Sequence, residues 1–184
     1  MSRLILLVTS LSLVLSFSMA VEAQDNPTNI KGATKTIVLV RHAEKLKGSK
    51  DPNLSPKGAE RAKQLAALLK NTPLTLLIAS PLNRTQETLQ PIAQERNMPI
   101  TTIGLSEGLE AHVNMHLEMI NSHQGNVLVA GHSNTIPMII SALGAPEVEA
   151  IAETDYSNIY YLTIDEKNKV LVQHAHYGVS SAKE

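Results

Sequence analysis

The chain contains no cysteine. That absence excludes disulfides, thiolate catalysis, zinc held by cysteine and lipid attachment through a cysteine. It has no tryptophan, one phenylalanine and four tyrosines among 184 residues, so a core drawn from its 43% hydrophobic content must be aliphatic. An excess of one charge is lacking as well: 16 basic and 17 acidic residues leave a formal net charge of −1. Nothing in that balance suggests a nucleic-acid or polyanionic partner. Internal repeats and low-complexity tracts are missing too, and the length fits one domain.

The one long apolar run stands at the N-terminus. Arg3 precedes an apolar stretch from Leu4 to Phe17, and Val21-Glu22-Ala23 fits the small-residue cleavage rule. Residues 1–23 therefore read as a signal peptide, with Gln24 the first mature residue and Ser18-Met19-Ala20 a second possible site. An uncleaved anchor competes, because residues 4–20 approach the lower edge of a spanning helix. The short run and its small-residue end favour cleavage. The expectation is a periplasmic or secreted protein with no stable membrane insertion after cleavage. A cysteine-free chain is at ease in an oxidising compartment. Residues 24–35, polar and with Pro27 and Gly32, read as a flexible leader, and residues 36–184 as the domain.

Short aliphatic and β-branched runs mark the strands. They fall at residues 36–40, 75–79, 99–103 and 126–130, with alternating runs at 158–164 and 170–174 joined by a polar turn over 165–168. Ser55 reads as an N-cap and Pro56 as the first position of a helix with an apolar face of Ala62, Leu65, Ala66, Leu68 and Leu69. Arg61 on that helix reads as a solvated residue. Ser80-Pro81 is expected to start a second helix that carries Arg84 to about Arg96, kinked at Pro91. Residues 107–123 are mixed, helical around 113–120, and 135–143 form another helix. This order argues an α/β fold, a three-layer α/β/α sandwich around a mostly parallel sheet.

Two of these strands end in histidine, at Val40-Arg41-His42 and Ala130-Gly131-His132. A third ends at Ser80, and Arg84 follows one turn into the next helix. Ligand sites in open α/β sheets lie beyond the carboxyl ends of strands. If the three strands are neighbours, two histidines and two arginines converge there. Guanidinium forks suit phosphate oxygens, and a neutral imidazole can attack phosphorus. Arg41 and Arg84 would neutralise the equatorial oxygens and hold His42 neutral, and His132 would be a second cation or a donor. Helix N-termini at Ser80 and Asn134 would add aligned N–H groups.

Arg41-His42-Ala43-Glu44, Leu54-Ser55-Pro56-Lys57-Gly58, Ser80-Pro81-Leu82-Asn83-Arg84-Thr85-Gln86-Glu87-Thr88 and Gly131-His132-Ser133-Asn134 resemble, in order, the four signature blocks of the histidine phosphatase superfamily. Its fold is phosphoglycerate mutase-like, and the resemblance spans about residues 37–164 and points to the small branch-1 members. It implies a metal-independent phosphomonoesterase with no cofactor. His42 would be phosphorylated, and Arg41, Arg84 and His132 would bind the phosphoryl group. A proton donor for the leaving group is expected at Glu107, in Leu105-Ser106-Glu107, with Glu110 the alternative. Lys45, standing in a loop without the family's usual asparagine, and Ser133 and Asn134 are candidate substrate contacts. The last two are also expected to cap the following helix. The implied partner is a small-molecule phosphomonoester; which one, and the oligomeric state, the sequence leaves open. Export argues against a glycolytic mutase. A phosphohistidine phosphatase, or a phosphate-binding protein of the same fold without turnover, are the alternatives.

The remaining histidines read less directly. His112 and His116 are four apart, with His123 further on, a spacing that could place imidazoles on one face for a metal. No glutamate follows His112, so the zinc-protease helix pattern is missing, and histidines lining a substrate lid are the favoured reading. His174 and His176 share a face of the last strand, where edge packing competes with a zinc site. Ser133 lies in no Gly-x-Ser-x-Gly elbow.

Overall fold

The computed structural model describes residues 33–165 and 167–179. The expected signal peptide, and the leader as far as residue 32, lie outside the described residues. The elements run β1 (Ala33–Arg41), α1 (Pro56–Leu68), β2 (Leu74–Ala79), α2 (Asn83–Arg96), β3 (Ile100–Thr102), α3 (Leu109–Ser122), β4 (Asn126–Gly131), α4 (Thr135–Ala142), β5 (Asn158–Asp165) and β6 (Val170–His176).

The strands form one sheet in the order β3-β2-β4-β1-β5-β6. Strands β3, β2, β4 and β1 are parallel, β5 is antiparallel to β1, and β6 is antiparallel to β5. Alternate residues of β1 serve two separate cores. Val38 and Val40 pack with Leu65 and Ala66 of α1 and with Leu89 and Ile92 of α2. Ile37 and Leu39 pack with Val113 and Ile120 of α3 and with Ile136, Ile139 and Ile140 of α4. Helices thus cover both faces, which is why the central strands read as unbroken apolar runs rather than alternating ones. Burial of each such aliphatic side chain is worth about 1.5–3 kcal/mol.

Several boundaries differ from the sequence reading. β1 begins at Ala33, not at residue 36, because β5 is long enough to pair with it from Ala33 against Asp165 onward. Residues 33–35 are therefore strand and not leader. α2 begins at Asn83, with the Ser80 carbonyl before it accepting from the Gln86 side chain, and runs through Pro91 as one helix. β6 extends to His176. Among the described residues no helix is long and apolar enough to cross a membrane.

Arg61 is not solvated: it is 2% exposed. Its Nε and Nη2 donate to the two carboxylate oxygens of Glu44, each at 2.8 Å. Its remaining donors reach the Tyr177 carbonyl at 2.7 Å and the Val179 carbonyl at 2.8 Å. Glu44 answers with its backbone, whose carbonyl accepts from Ser55 N at 2.8 Å. Gly58 lies so close beneath that an added Cβ would stand 2.0 Å from the Glu44 oxygen. One cation thus ties the start of α1, the segment after β1 and the segment after β6.

The lid reading of His112 and His116 is overturned: each is 1% exposed. The face of α3 that carries Val113 and Ile120 also carries them, so the sheet covers them. Each is satisfied locally, His112 Nδ1 by the Gly104 carbonyl at 2.7 Å and His116 Nδ1 by the His112 carbonyl at 2.8 Å. Burial, and then the charge of His112, push His116 down to about 4 against the help of its backbone bond.

Two expectations follow from these buried groups. Arg61→Ala leaves Glu44 ionised without its partner, and stability in urea should fall by about 3–5 kcal/mol. For His116 the folded value lies below the unfolded value of 6.5. The unfolded chain therefore binds the extra proton, and stability rises with pH between about 4 and 6.5, is complete above that window and is lost as pH falls through it. His116→Gln should flatten the slope of Tm against pH there, by up to about 1.4 kcal/mol per pH unit; an unchanged slope contradicts this.

Candidate active site

Parallel pairing places Arg41 opposite Gly131, and His42 N donates to the Gly131 carbonyl at 2.9 Å. β1 and β4 therefore end level, and His42 and His132 leave the sheet side by side. Their ring centroids are 5.4 Å apart at an interplanar angle of 64°. β2 ends at the same height, Ala79 opposite Ala130, which sets Ser80 Oγ 3.0 Å from His132 Nε2. A Cβ at Gly131 would stand 2.8 Å from Ile136 Cδ1 and 2.9 Å from Thr135 Oγ1, so both side chains would have to shift to admit one.

His42 Nδ1 lies 2.8 Å from its neighbour's carbonyl, Ala43 O. A carbonyl only accepts, so Nδ1 carries the proton and Nε2 keeps the free lone pair. Burial comes first in pushing this imidazole down to about 3; the Ala43 bond opposes, and the charges of Arg41, His132 and Arg84 add to the depression. At neutral pH His42 is an uncharged ring of fixed tautomer. Ala43 N donates to Thr88 Oγ1 at 2.9 Å, and that hydroxyl donates to the Arg84 carbonyl at 2.7 Å, so α2 braces the backbone of His42.

His132 is pushed down to about 4, by burial first and then by Arg84, His112 and Arg41, with Glu153 opposing. A hydroxyl chain orients it. Thr85 Oγ1 donates to the Leu82 carbonyl at 2.8 Å. Ser80 Oγ then donates to Thr85 Oγ1, also at 2.8 Å. This order leaves Ser80 Oγ to accept from His132 Nε2, which assigns the proton to that nitrogen.

Arg41 is 1% exposed. Its Nη1 donates to the Ala152 carbonyl at 2.7 Å and the Asp155 carbonyl at 3.2 Å, and its Nη2 to Glu153 Oε2 at 2.9 Å. The guanidinium carbon lies 4.3 Å from the centre of the Tyr156 ring, a cation–π contact. Arg84 is held more loosely, with Nη1 3.7 Å from Asp51 Oδ1. The Nε atoms of both arginines are buried and have no hydrogen-bond partner among the described residues. Each unpaired buried donor costs about 1–3 kcal/mol. An oxyanion seated by His42 would relieve that cost.

The structure therefore brings Arg41, His42, Arg84 and His132 together, and the other expected residues stand around them unevenly. Lys45 is exposed and pairs backbone-wise with Leu54 in an isolated bridge. Ser133 donates its hydroxyl to Glu153. Asn134 is at the N-cap of α4 but makes no side-chain cap bond. Neither residue caps the helix through its side chain as expected; Thr135 Oγ1 instead accepts from His132 N at 2.9 Å. Glu107 is exposed in the turn before α3, without a hydrogen bond or ion pair to the four. Glu110 lines a hollow between α3 and α4 with Val113, Pro137 and Met138, which none of the four lines. Among the described residues no three His, Asp or Glu side chains converge as a metal-holding group. His174 stacks on Tyr160 at 4.5 Å and bonds Asn158, and His176 bonds Ser157.

Sequence reasoning missed Glu153, Asp155 and Tyr156. They lie in an irregular segment without motif or period, and only the acidic and aromatic residues of Glu153-Thr154-Asp155-Tyr156 just before a strand hinted at a partner for Arg41. It also missed the hydroxyls of Ser80, Thr85 and Thr88 as a scaffold.

The family model of the histidine phosphatase superfamily (branch 1) matches residues 37–115. Phosphoserine phosphatase 1 of Hydrogenobacter thermophilus is 38% identical over 71 residues, which is 35% of this chain and 34% of that protein. The match thus spans about a third of that relative. Among solved structures, the protein histidine phosphatase SixA complexed with tungstate aligns with a TM-score of 0.60 at 18% identity, covering 77% of this chain and 96% of that one. A putative α-ribazole-5'-P phosphatase from Escherichia coli aligns with a TM-score of 0.58 at 18% identity, covering 79% and 96%. The family model thus rests on the segment that carries Arg41, His42 and Arg84, and the chain shares its fold with these phosphatases.

Proposed function

We propose that the chain is a phosphomonoesterase that works through a phosphohistidine on His42. One observation carries this reading: a neutral imidazole with its Nε2 lone pair free, beside two arginines whose buried Nε donors are unpaired. Binding alone would need only the arginines; a fixed, uncharged imidazole is what attack on phosphorus needs in addition. In the first step His42 Nε2 bonds to phosphorus as the bond to the ester oxygen breaks. That oxygen takes a proton, in this reading from the exposed side chain of Glu107 or from water. Arg41 and Arg84 donate to the phosphoryl oxygens, and His132, protonated at Nε2 toward Ser80, completes the wall around them. Water then releases phosphate. The arginines neutralise the charge that a metal ion neutralises in other phosphoryl-transfer sites. Lys45 and the loop around it, exposed beside the site, are proposed to meet the rest of a small phosphomonoester.

The same reading includes export. Its support is the run from Leu4 to Phe17 behind Arg3, closed by Ala23.

Phosphate release from p-nitrophenyl phosphate tests the mechanism. Turnover should persist in EDTA, disappear in His42→Ala and fall about 10²–10³-fold in Arg84→Ala. Tight phosphate binding without turnover would support the binding-protein alternative instead, and a requirement for added Zn²⁺ would refute the metal-free mechanism. For export, N-terminal sequencing of protein recovered from outside the cytoplasm should begin at Gln24 or Val21; an intact Met1 in the cytoplasmic fraction contradicts it.

A further inference from the structure

A carboxylate that no motif announced stands nearest the four site residues. Glu153 Oε2 accepts from Arg41 Nη2 at 2.9 Å, and its other oxygen accepts from the Ser133 hydroxyl. Arg41 directly precedes His42 and Ser133 directly follows His132. The carboxylate is thus pinned between the two ends of the pair of histidines, while its side chain stays 79% exposed. Its charge is felt by Arg84 and by His132. It leaves Arg41 Nε unpaired, although Nε shares a guanidinium edge with the Nη2 that Glu153 holds.

We propose that Glu153 is the base that activates water against the phosphohistidine. This rests on the phosphomonoesterase reading and adds a residue to its second step. The water oxygen forms a bond to phosphorus as the P–Nε2 bond breaks. That electron pair returns to His42 Nε2, and one water proton passes to a carboxylate oxygen of Glu153. Because the side chain is largely exposed, the proton then leaves to solvent without a relay.

The resting charge state suits a base rather than an acid. The Ser133 hydroxyl, and after it Arg41 and Lys45, hold the Glu153 carboxyl below the usual carboxylate range against its partial burial. It enters the cycle ionised. A phosphoryl group arriving on His42 then brings negative charge close by, which raises the affinity of a neighbouring carboxylate for a proton. Glu153 becomes more basic when the water must be deprotonated. The neutral first-step donor remains a separate residue.

Pre-steady-state kinetics with p-nitrophenyl phosphate separates the two steps, since nitrophenolate leaves in the first and phosphate in the second. Glu153→Gln keeps the size and a hydrogen bond to Arg41. It should still give a burst of about one nitrophenolate per chain, followed by a steady state about 10²-fold slower than wild type, with phosphohistidine, which acid destroys, trapped by an alkaline quench. Formate should restore part of the steady state to Glu153→Ala. If Glu153→Gln loses burst and steady state in equal measure, the residue only holds Arg41 and the proposal is wrong. A steady state within about 3-fold of wild type also overturns it. Wild-type protein that releases no nitrophenolate at all sinks the phosphomonoesterase reading, and this role with it.

Discussion

The hydrogen bond from His42 N to the Gly131 carbonyl sets the level at which two parallel strands stop. Nothing else in the site can be placed until that is fixed. A shift of one residue between β1 and β4 would turn His42 to the other face of the sheet, since side chains alternate along a strand. The register is secured from below by apolar packing: Ile37, Val38, Leu39 and Val40 are all fully buried against helices on both faces. Two cores of aliphatic side chains thus decide where two imidazoles stand. The site itself contributes little to that decision.

Around the histidines, the charged groups are held before any ligand arrives. Arg41 is gripped by two carbonyls, a carboxylate and an aromatic face, which leaves Nε the direction of least satisfaction. The hydroxyls of Ser80, Thr85 and Thr88 hold His132 and the backbone of His42 in the same manner. Donors fixed in this way need no rearrangement when charge develops on a phosphoryl oxygen, which is where such sites gain most of their effect. The unpaired Nε atoms are the destabilising side of that arrangement.

Much of this was legible in the sequence where a residue pattern maps directly onto geometry. Strand after strand ended where an apolar run ended, and Arg41, His42, Arg84 and His132 followed as the residues at those ends. Legibility failed where tertiary packing overrode local character. Arg61 lies on a helix whose polar residues look alike, and only the carboxylate of Glu44 and carbonyls far along the chain decide that it is buried. His112 and His116 looked like one exposed face, yet the same spacing of three and four also carries Val113 and Ile120 toward the sheet. Glu153 sits in a segment with no period at all, so its place beside Arg41 depends on how the chain returns from α4 to β5.

Arg61 also joins parts of the chain that are made at very different times. Its partner carbonyl at Tyr177 lies 116 residues beyond it. β1, α1 and the loop that presents His42 emerge from a ribosome long before that carbonyl exists, and β5, the antiparallel neighbour of β1, is also late. Until both arrive, Arg61 lacks the Tyr177 carbonyl, and Arg41 lacks the segment that grips it. The constellation is therefore a closing event of folding. A nascent chain carries the histidines without the site.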